Sequence, residues 1–348
     1  MTITTTIGLD LAKSLFQVHS ADSEGCKTGS RQLKRKDVHA FFAKQPPCLI
    51  GIEACGTAHY WARELIGLGH TVKMMPAKYV KAYLKRGKTD AADAEAICEA
   101  VTRPRIKEVP VKSVEQQCLA IPHKVRDLLK GQQVALINAI RAHMAELGLI
   151  APQGRQGVLS LLSIIADDAR TDLPLAARKT LWIAANSLAA IEASLAALDA
   201  EIHAAAKTDE TVRRLQTIPG VGPTAASAFV ASITNPNAFD NGRAFAASLG
   251  VTPKITGTGG AVTLGSITKQ GNSYLRRLLY LGAVARLSYA KRYPTKADPK
   301  LVALLEQKKF KLAAIALANK TARVVWALLV RGGSYIANHQ PQTQAARA

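Results

Sequence analysis

The chain has 348 residues, of which 48% are hydrophobic, so it is long enough for two or three domains and too apolar to be disordered throughout. Lys and Arg number 46 against 25 Asp and Glu, and the net charge of +21 favours a polyanionic partner such as nucleic acid. No apolar run reaches the roughly 18 residues of a spanning helix, and no basic, hydrophobic leader opens the chain. We therefore expect a cytoplasmic protein with no membrane partner.

The five cysteines follow no C-x-x-C spacing, which argues against a zinc site or a disulfide framework.

Strands alternate with helices in residues 1–110. The hydrophobic pattern predicts strands at 3–9, 14–20, 48–54 and 71–77. Helices are predicted near 37–44, 57–67, 78–86 and 90–103, and the basic stretch "RQLKRK" precedes the first of them. This alternation is typical of an α/β domain.

Residues 111–210 have no strand signal and predict a helical region. A helix is expected over 114–147, with Pro122 near its start, and another over 174–206. The second helix carries a heptad-spaced apolar row: Leu181, Leu188, Ile191, Leu195, Leu198 and Ile202. Such a row packs against a partner helix, which is either the 114–147 helix or a second subunit.

Residues 211–331 predict a third, mainly helical region, followed by a flexible polar tail at 332–348. A glycine-rich stretch at 257–271 indicates a loop or hairpin, and helices are expected near 273–290 and 308–331. The fold class is therefore α/β plus all-α.

Four acids stand out in the first region. Asp10 and Glu53 each end a predicted strand, and Asp90 and Asp93 in "KTDAADA" share one face of a helix. If the strands are neighbours and the helix crosses their ends, the carboxylates converge and need cations. Oxygen ligands favour Mg²⁺, with Mn²⁺ as the alternative, and two such ions support phosphodiester chemistry. The alternative interpretation is that Asp10 only ends a strand and that Thr89 or Asp90 caps a helix.

Glycines and cations indicate contacts with a nucleic-acid backbone. In "IPGVG", Gly220 and Gly222 predict a helix-hairpin-helix turn whose backbone N–H groups approach a phosphate, although Pro-Gly also marks ordinary turns. Phosphate contacts are also expected from cations near the acids and after the glycine-rich stretch. These are Lys13, Lys85, Arg86, Lys88, Lys269, Arg276 and Arg277. The alternatives are solvated helix faces, a flexible loop and, for Lys13, an ion pair.

The stretches "IGLDLAK", "GIEACGT" and "KTDAADA", in that order and spacing, resemble the IS-one-ten family of insertion-sequence transposases. "IPGVGPTAA", "FAASLGVTPK" and "ITKQGNSYLRRLLYLGA" extend the resemblance over nearly the whole chain. That family includes Piv-type DNA invertases and bridge-RNA-guided recombinases.

The resemblance implies a RuvC-like, ribonuclease-H-like domain whose metal-binding tetrad is Asp10, Glu53, Asp90 and Asp93. It also implies a coiled-coil region that joins subunits, a carboxy-terminal transposase domain and a homo-oligomer, either dimer or tetramer. The DNA substrates would be the ends of a mobile element and its target, and a structured non-coding RNA would act as guide.

The family's nucleophile is a serine in a small-residue turn after "G-[LV]-T-P". Here "GVTP" occupies residues 250–253, but the matching position is Thr258. The resemblance implies that this hydroxyl attacks DNA with Mg²⁺ assistance, forms a covalent protein–DNA intermediate and completes the tetrad of another subunit. Three accounts remain: Thr258 is the nucleophile, Ser266 replaces it, or this copy is impaired.

Two other functions fit the residues. One is a RuvC-like, metal-dependent nuclease that hydrolyses branched DNA with water. The other is a non-catalytic nucleic-acid-binding protein with a degenerate site.

Overall fold

A computed structural model describes residues 5–84 and 89–337 of the chain. The chain divides into two compact units, residues 1–117 and residues 118–348. The first unit is mixed α/β with a central sheet and the second is mostly helical, which confirms the predicted fold class.

The first unit is built on a five-stranded sheet with strand order β3-β2-β1-β4-β5. Its strands are β1 Thr6–Asp10, β2 Leu15–Ala21, β3 Lys27–Lys34, β4 Leu49–Glu53 and β5 Thr71–Met75. β1, β4 and β5 are parallel, whereas β2 and β3 run antiparallel to their neighbours. The sequence did not predict β3, because this edge strand buries only Leu33 and its charged side chains hide any alternation.

Helices cover both faces of this sheet. They are α1 Val38–Phe42, α2 Ala58–Gly67, α3 Ala77–Val80 and α4 Asp90–Val101. On one face, Ile7 and Ile50 pack with Trp61 and Leu65 of α2. On the other face α4 lies across β1, β2 and β4. The helix α5, Val114–Glu146, follows and continues through Pro122.

The second unit consists of helices around one core and a β-hairpin. The helices are α6 Arg155–Ala166, α7 Leu175–Thr208, α8 Glu210–Gln216, α9 Pro223–Ser232, α10 Gly242–Ser248, α11 Ser273–Arg292, α12 Pro299–Gln307 and α13 Phe310–Arg331. The hairpin strands are β6 Pro253–Thr258 and β7 Ala261–Ile267. Helices α8, α9, α10, α11 and α13 share the main core.

The heptad-spaced row of α7 is covered by helices of the same chain. Leu181 and Leu188 cluster with Ile140 and Met144 of α5. Two polar contacts set an antiparallel register between these helices: Arg126 Nε to Asp199 Oδ1 at 2.5 Å, and Gln133 Nε2 to Glu192 Oε1 at 2.9 Å. The partner of the α7 row in the structure is therefore α5.

A second apolar row, which the sequence analysis missed, lies on α5. Val114, Cys118, Ile121, Val125 and Leu128 follow the 4-3-4-3 spacing of a heptad repeat, and all five are exposed. This row, here called the α5 seam, has the spacing of a coiled-coil face and is not covered by any of the residues that the structure describes.

A buried histidine connects three helices of the second unit. His123 of α5 lies 2.9 Å from Ser227 Oγ of α9 through Nε2, and 3.4 Å from the Tyr274 hydroxyl of α11 through Nδ1. Burial, with the nearby Arg126 charge, lowers the pKa of His123 to about 4. The imidazole is therefore neutral at physiological pH.

Two helices, α7 and α13, are long and apolar enough to cross a membrane by length and composition alone. This differs from the expectation that no run reaches that length. Helix α13 buries Leu317 and Val325 in the core of the second unit, and α7 carries Asp199 in an ion pair with α5. Length and composition are weak evidence for a membrane span when helices make such contacts.

Candidate metal centre and hairpin hydroxyl

Two neighbouring parallel strands bring the first two acids to one edge of the sheet. Asp10 is the last residue of β1 and Glu53 is the last residue of β4. The register pairs Leu9 with Ile52, so the two acids come next along adjacent strands. Because side chains alternate along a strand, both acids share the sheet face of Gly8 and Gly51, which is covered by α4.

Helix α4 supplies the other two acids from its first turn. Thr89 caps the helix by accepting a hydrogen bond from the Ala92 backbone N–H at 3.2 Å, which leaves the Asp90 carboxylate uncommitted to the cap. Asp90 and Asp93 lie in the first turn, where the helix dipole favours negative charge.

Glycines allow α4 to rest on the sheet backbone. A Cβ atom on Gly8 would lie 2.1 Å from the Ala94 carbonyl oxygen, and one on Gly51 would lie 2.8 Å from the Val101 Cβ. Any larger residue at these positions would push the helix, and its acids, away from the strand ends.

The carboxylates form a compact oxygen cluster. One oxygen each from Asp10, Asp90 and Asp93 lies within 4.8 Å of the others. Glu53 lies outside that group but adds to its electrostatics. The pKa of Asp10 is raised to about 6, first by burial and then by the charges of Asp93, Asp90 and Glu53. A cation would relieve this repulsion, and an all-oxygen donor set suits a hard divalent ion.

The hydroxyl of Thr258 is presented at the tip of the exposed hairpin. Thr258 ends β6 and pairs with Ala261 at the start of β7. Between them, Gly259 and Gly260 have φ values of +57° and +83°, as the two-residue turns of hairpins require. The site is a small-residue turn with an accessible hydroxyl.

The base of this hairpin is fixed by close backbone contacts. A Cβ atom on Gly250 would lie 2.3 Å from the Gln270 carbonyl oxygen, and one on Gly271 would lie 1.8 Å from the Ser248 carbonyl oxygen. The hairpin therefore projects from a rigid base.

Comparisons with known proteins identify the family. A DEDD transposase model of the IS110 group matches residues 7–148, and a model described as "Transposase IS116/IS110/IS902 family" matches residues 212–297. The "Probable family 20 transposase" of Pseudomonas aeruginosa is 44% identical over 94% of this chain and 98% of its own length. The "Putative transposase y4pF/y4sB" of Sinorhizobium fredii is 40% identical over 94% and 85%, respectively. The "Transposase for insertion sequence element IS1111A" of Coxiella burnetii is 34% identical over 94% and 90%.

The chain belongs to the IS110 family of transposases. The predicted family is thus confirmed, and the protein is an enzyme that cuts and rejoins DNA. A DEDD transposase domain, together with the acid cluster, indicates dependence on a divalent metal ion.

The two glycines of "IPGVG" have different surroundings in the transposase. Gly220, with φ +85°, packs against α11, since a Cβ there would lie 2.9 Å from the Gly282 carbonyl oxygen. Close packing against α11 therefore accounts for a glycine at position 220, and no phosphate contact is needed to explain it. Gly222 immediately precedes α9 and has open space around it. Its phosphate contact stays a prediction.

Two of the predicted phosphate-binding cations have internal partners. Arg276 donates from Nη1 to the Leu249 and Gln270 carbonyl oxygens at 3.0 and 2.8 Å, which ties α11 to the hairpin base. Arg277 forms an ion pair with Asp127 of α5. Lys269 is exposed and adopts a left-handed conformation with φ +54°.

The cations near the acids are only partly described. Lys13 is exposed in the β1–β2 turn, at the same sheet edge as Asp10, and forms no ion pair with the described residues. Lys85, Arg86 and Lys88 lie outside the described residues.

Proposed function

We propose that the transposase joins the ends of a mobile insertion sequence to target DNA through attack by the Thr258 hydroxyl at a divalent-metal site. The observation that carries this proposal is the convergence of Asp10, Asp90 and Asp93 at the end of β1. Nucleic-acid chemistry also fits the net charge of +21.

Asp10, Asp90 and Asp93, with Glu53, would hold Mg²⁺, or Mn²⁺ in its place. Such an ion polarises phosphoryl oxygens and stabilises the charge that develops on the attacking and leaving oxygens. The seat of α4 on β1 and β4 keeps these carboxylates at one edge of the sheet, where they would hold the ion.

The proposed step exchanges one phosphodiester for another. Thr258 Oγ forms a bond to phosphorus, the bond from phosphorus to a sugar oxygen breaks, and the hydroxyl proton is transferred to that departing oxygen. In the rejoining step, a sugar hydroxyl displaces Thr258 and regenerates its hydroxyl. Since phosphodiester bonds are conserved, no ATP is needed.

Ser266 remains the alternative nucleophile. Thr258 pairs with Ala261, and Ser266 is five residues further along β7. At about 3.4 Å per residue, the two hydroxyls are on the order of 17 Å apart along the ribbon. One scissile phosphate therefore meets only one of them. Both residues are exposed, and we propose Thr258 because it lies at the tip of the hairpin.

The proposed enzyme is a cytoplasmic homo-oligomer, a dimer or tetramer, with a structured RNA guide. The RNA guide rests on the family resemblance alone. The oligomer is supported by the α5 seam, because five exposed apolar side chains at heptad spacing suit a second copy of the helix. Thr258 of one copy would then complete the acid cluster of another.

Cys118 makes the oligomer directly testable. In a parallel, in-register pair at this seam, the two Cys118 side chains would face each other, and mild oxidation should link subunits covalently. The control is Cys26→Ser, which removes a cysteine exposed elsewhere. A monomer at micromolar concentration in sedimentation would reject the seam as an interface.

Four proteins distinguish the candidate functions: wild type, Asp10→Asn, Thr258→Ala and Thr258→Ser, each given DNA carrying the element ends and target, with and without co-expressed RNA. We expect Asp10→Asn to bind DNA but lose metal-dependent cleavage, and Thr258→Ala to lose strand joining. Thr258→Ser should retain joining, since serine lacks the methyl that restricts χ1.

Other outcomes would select the rival functions. Cleavage that survives in Thr258→Ala without joining would indicate a nuclease that uses water. Absence of cleavage by the wild type under all conditions, with DNA binding intact, would indicate a non-catalytic binding protein or an impaired copy. Joining without RNA would reject RNA guidance.

A further inference from the structure

A basic and aromatic concavity lies on the first unit, on the α2 side of the sheet, whereas the acid cluster is on the α4 side. It has a volume of about 480 Å³ and is lined by Arg35, Lys36, Tyr60 and Trp61. Tyr60 is 47% exposed, and Trp61 is 5% exposed. We call these four residues the Tyr60 platform.

The aromatic part of the platform is braced from below. Tyr60 meets Trp61 edge-on with ring centroids 5.2 Å apart, and Trp61 meets Phe16 in the same manner at 5.1 Å. The Arg35 guanidinium lies over the Trp61 and Phe16 rings at 5.3 and 5.7 Å. The exposed Tyr60 ring therefore rests on a rigid base, which lowers the entropy cost of stacking another ring on it.

The Trp61 indole, which lines the concavity, carries an unsatisfied donor. Its Nε1 is buried and has no hydrogen-bond partner in the described part of the chain. A buried N–H without an acceptor is costly and rare in proteins.

The cations of the platform are not neutralised. Arg35 and Lys36 are exposed, and neither forms an ion pair within residues 5–84 and 89–337. The preceding strand β3 adds three further cations, Lys27, Arg31 and Lys34. This excess of positive charge favours a polyanion.

The platform lies at the same edge of the sheet as the acids. The Arg35 backbone N–H donates to the Ser14 carbonyl oxygen at 2.9 Å, in the turn that follows Asp10. β3 is two strands from β1 in the sheet, a separation on the order of 10 Å. Trp61 packs on the α2 face, whereas Asp10 is on the α4 face. A chain held on the platform can thus pass over the sheet edge to the acids.

We propose that the Tyr60 platform binds a single-stranded segment of nucleic acid, with one unpaired base stacked on Tyr60 and the adjoining phosphates on Arg35 and Lys36. An aromatic ring flanked by cations is the arrangement that holds unpaired strands, because any base stacks on the ring while the cations follow the backbone. The proposal rests on the proposed function in placing this strand beside the acid cluster. DNA and RNA strands share the chemistry recognised here.

The test measures binding of fluorescent single-stranded DNA and RNA 12-mers of one sequence to the full-length Asp10→Asn protein, in which no cleavage is expected. Tyr60→Leu should weaken binding of at least one strand by about 5- to 150-fold, the range for loss of one stacked base. The matched control is Tyr289→Leu, which removes a tyrosine of 50% exposure from α11. Lys36→Gln should lower the slope of log affinity against log salt by about 1, whereas Lys44→Gln should not.

Photocross-linking tests whether the bound base lies on Tyr60. A 5-iodouracil base in either strand should photocross-link to Tyr60, as a stacked base would. Equal affinities for Tyr60→Leu and Tyr289→Leu, or cross-links only elsewhere, would overturn the proposal. If that happens while wild type still joins DNA, the platform fails and the proposed function stands. If Tyr60→Leu weakens binding as expected but wild type joins no DNA, the platform stands and the proposed function fails. A difference between the DNA and RNA arms would identify which strand is held.

Discussion

Gly8 and Gly51 are direct partners across the parallel β1–β4 ladder, and α4 packs on the backbone of both. Two residues further along each strand stand Asp10 and Glu53. The contact between this glycine pair and α4 therefore sets where Asp90 and Asp93 lie relative to Asp10 and Glu53.

Replacing Gly8 with Ala tests this relationship. The new Cβ would overlap the Ala94 carbonyl oxygen, which is backbone and cannot rotate away, so α4 must shift. We expect a loss of about 1 to 3 kcal/mol in the stability of the first unit and a larger proportional loss of metal-dependent cleavage. Unfolding in urea, followed by Trp61 fluorescence in a Trp182→Phe, Trp326→Phe background, measures the first quantity.

Gly29→Ala is the matched control, because Gly29 of β3 has open space where a Cβ would be. Cleavage by Gly8→Ala equal to that by Gly29→Ala would contradict the account of how α4 is seated.

Because Asp10 can hold either a proton or a share of a metal ion, the stability of the first unit should depend on both pH and divalent ions. The pKa of Asp10 is raised from 3.8 to about 6, so the folded chain holds this proton more tightly than the unfolded chain does. Without divalent ions, the free energy of unfolding of the first unit should therefore fall as pH rises from about 4 to about 6. Asp10→Asn should remove this part of the slope and stabilise the unit at pH 7 by roughly 3 kcal/mol.

With Mg²⁺ present, wild type should become more stable than Asp10→Asn, since the ion stabilises wild type and has much less effect on the variant. Urea unfolding in EDTA and in Mg²⁺, at pH 4 to 8, measures both effects. The same Mg²⁺ response in the two proteins would place the metal elsewhere.

His123 predicts the opposite pH dependence in the second unit. Its pKa is lowered from 6.5 to about 4, so the unfolded chain binds this proton more tightly. The stability due to the neutral imidazole is fully present above pH 6.5 and is lost as pH falls towards 4. Between pH 6.5 and 5 the loss should be about 2 kcal/mol for wild type and near zero for His123→Gln.

Unfolding followed by Trp326 fluorescence, in a Trp61→Phe, Trp182→Phe background, reports on this unit. Parallel pH curves for wild type and His123→Gln would show that Ser227 and Tyr274 do not hold a neutral imidazole.

The placement of the acids in the fold follows from local signals, whereas their role as metal ligands stays a prediction. Asp10 and Glu53 end apolar strands, and Asp90 and Asp93 have helical spacing. The pairing of β1 with β4 sets Asp10 beside Glu53, and the packing of α4 on these strands adds Asp90 and Asp93. The role of Gly8 and Gly51 could not be predicted, since it depends on a register between residues far apart in the chain.

Other features needed the folded chain for the same reason. Arg276 and Arg277 look like free cations in sequence, but their partners, among them Asp127, come from distant segments. The α5 seam does have a local 4-3 signal. It was missed because charged and polar residues between its members weaken the apolar pattern, and only their exposure in the fold makes the row evident.

The most direct test of the central claim is to trap the covalent product on DNA carrying the element ends and target, digest it and map the linked residue by mass spectrometry. The account predicts a DNA phosphate on Thr258, formed by wild type with Mg²⁺ and absent in Asp10→Asn. A phosphate linked to Ser266, or cleaved DNA with no protein attached, would contradict it.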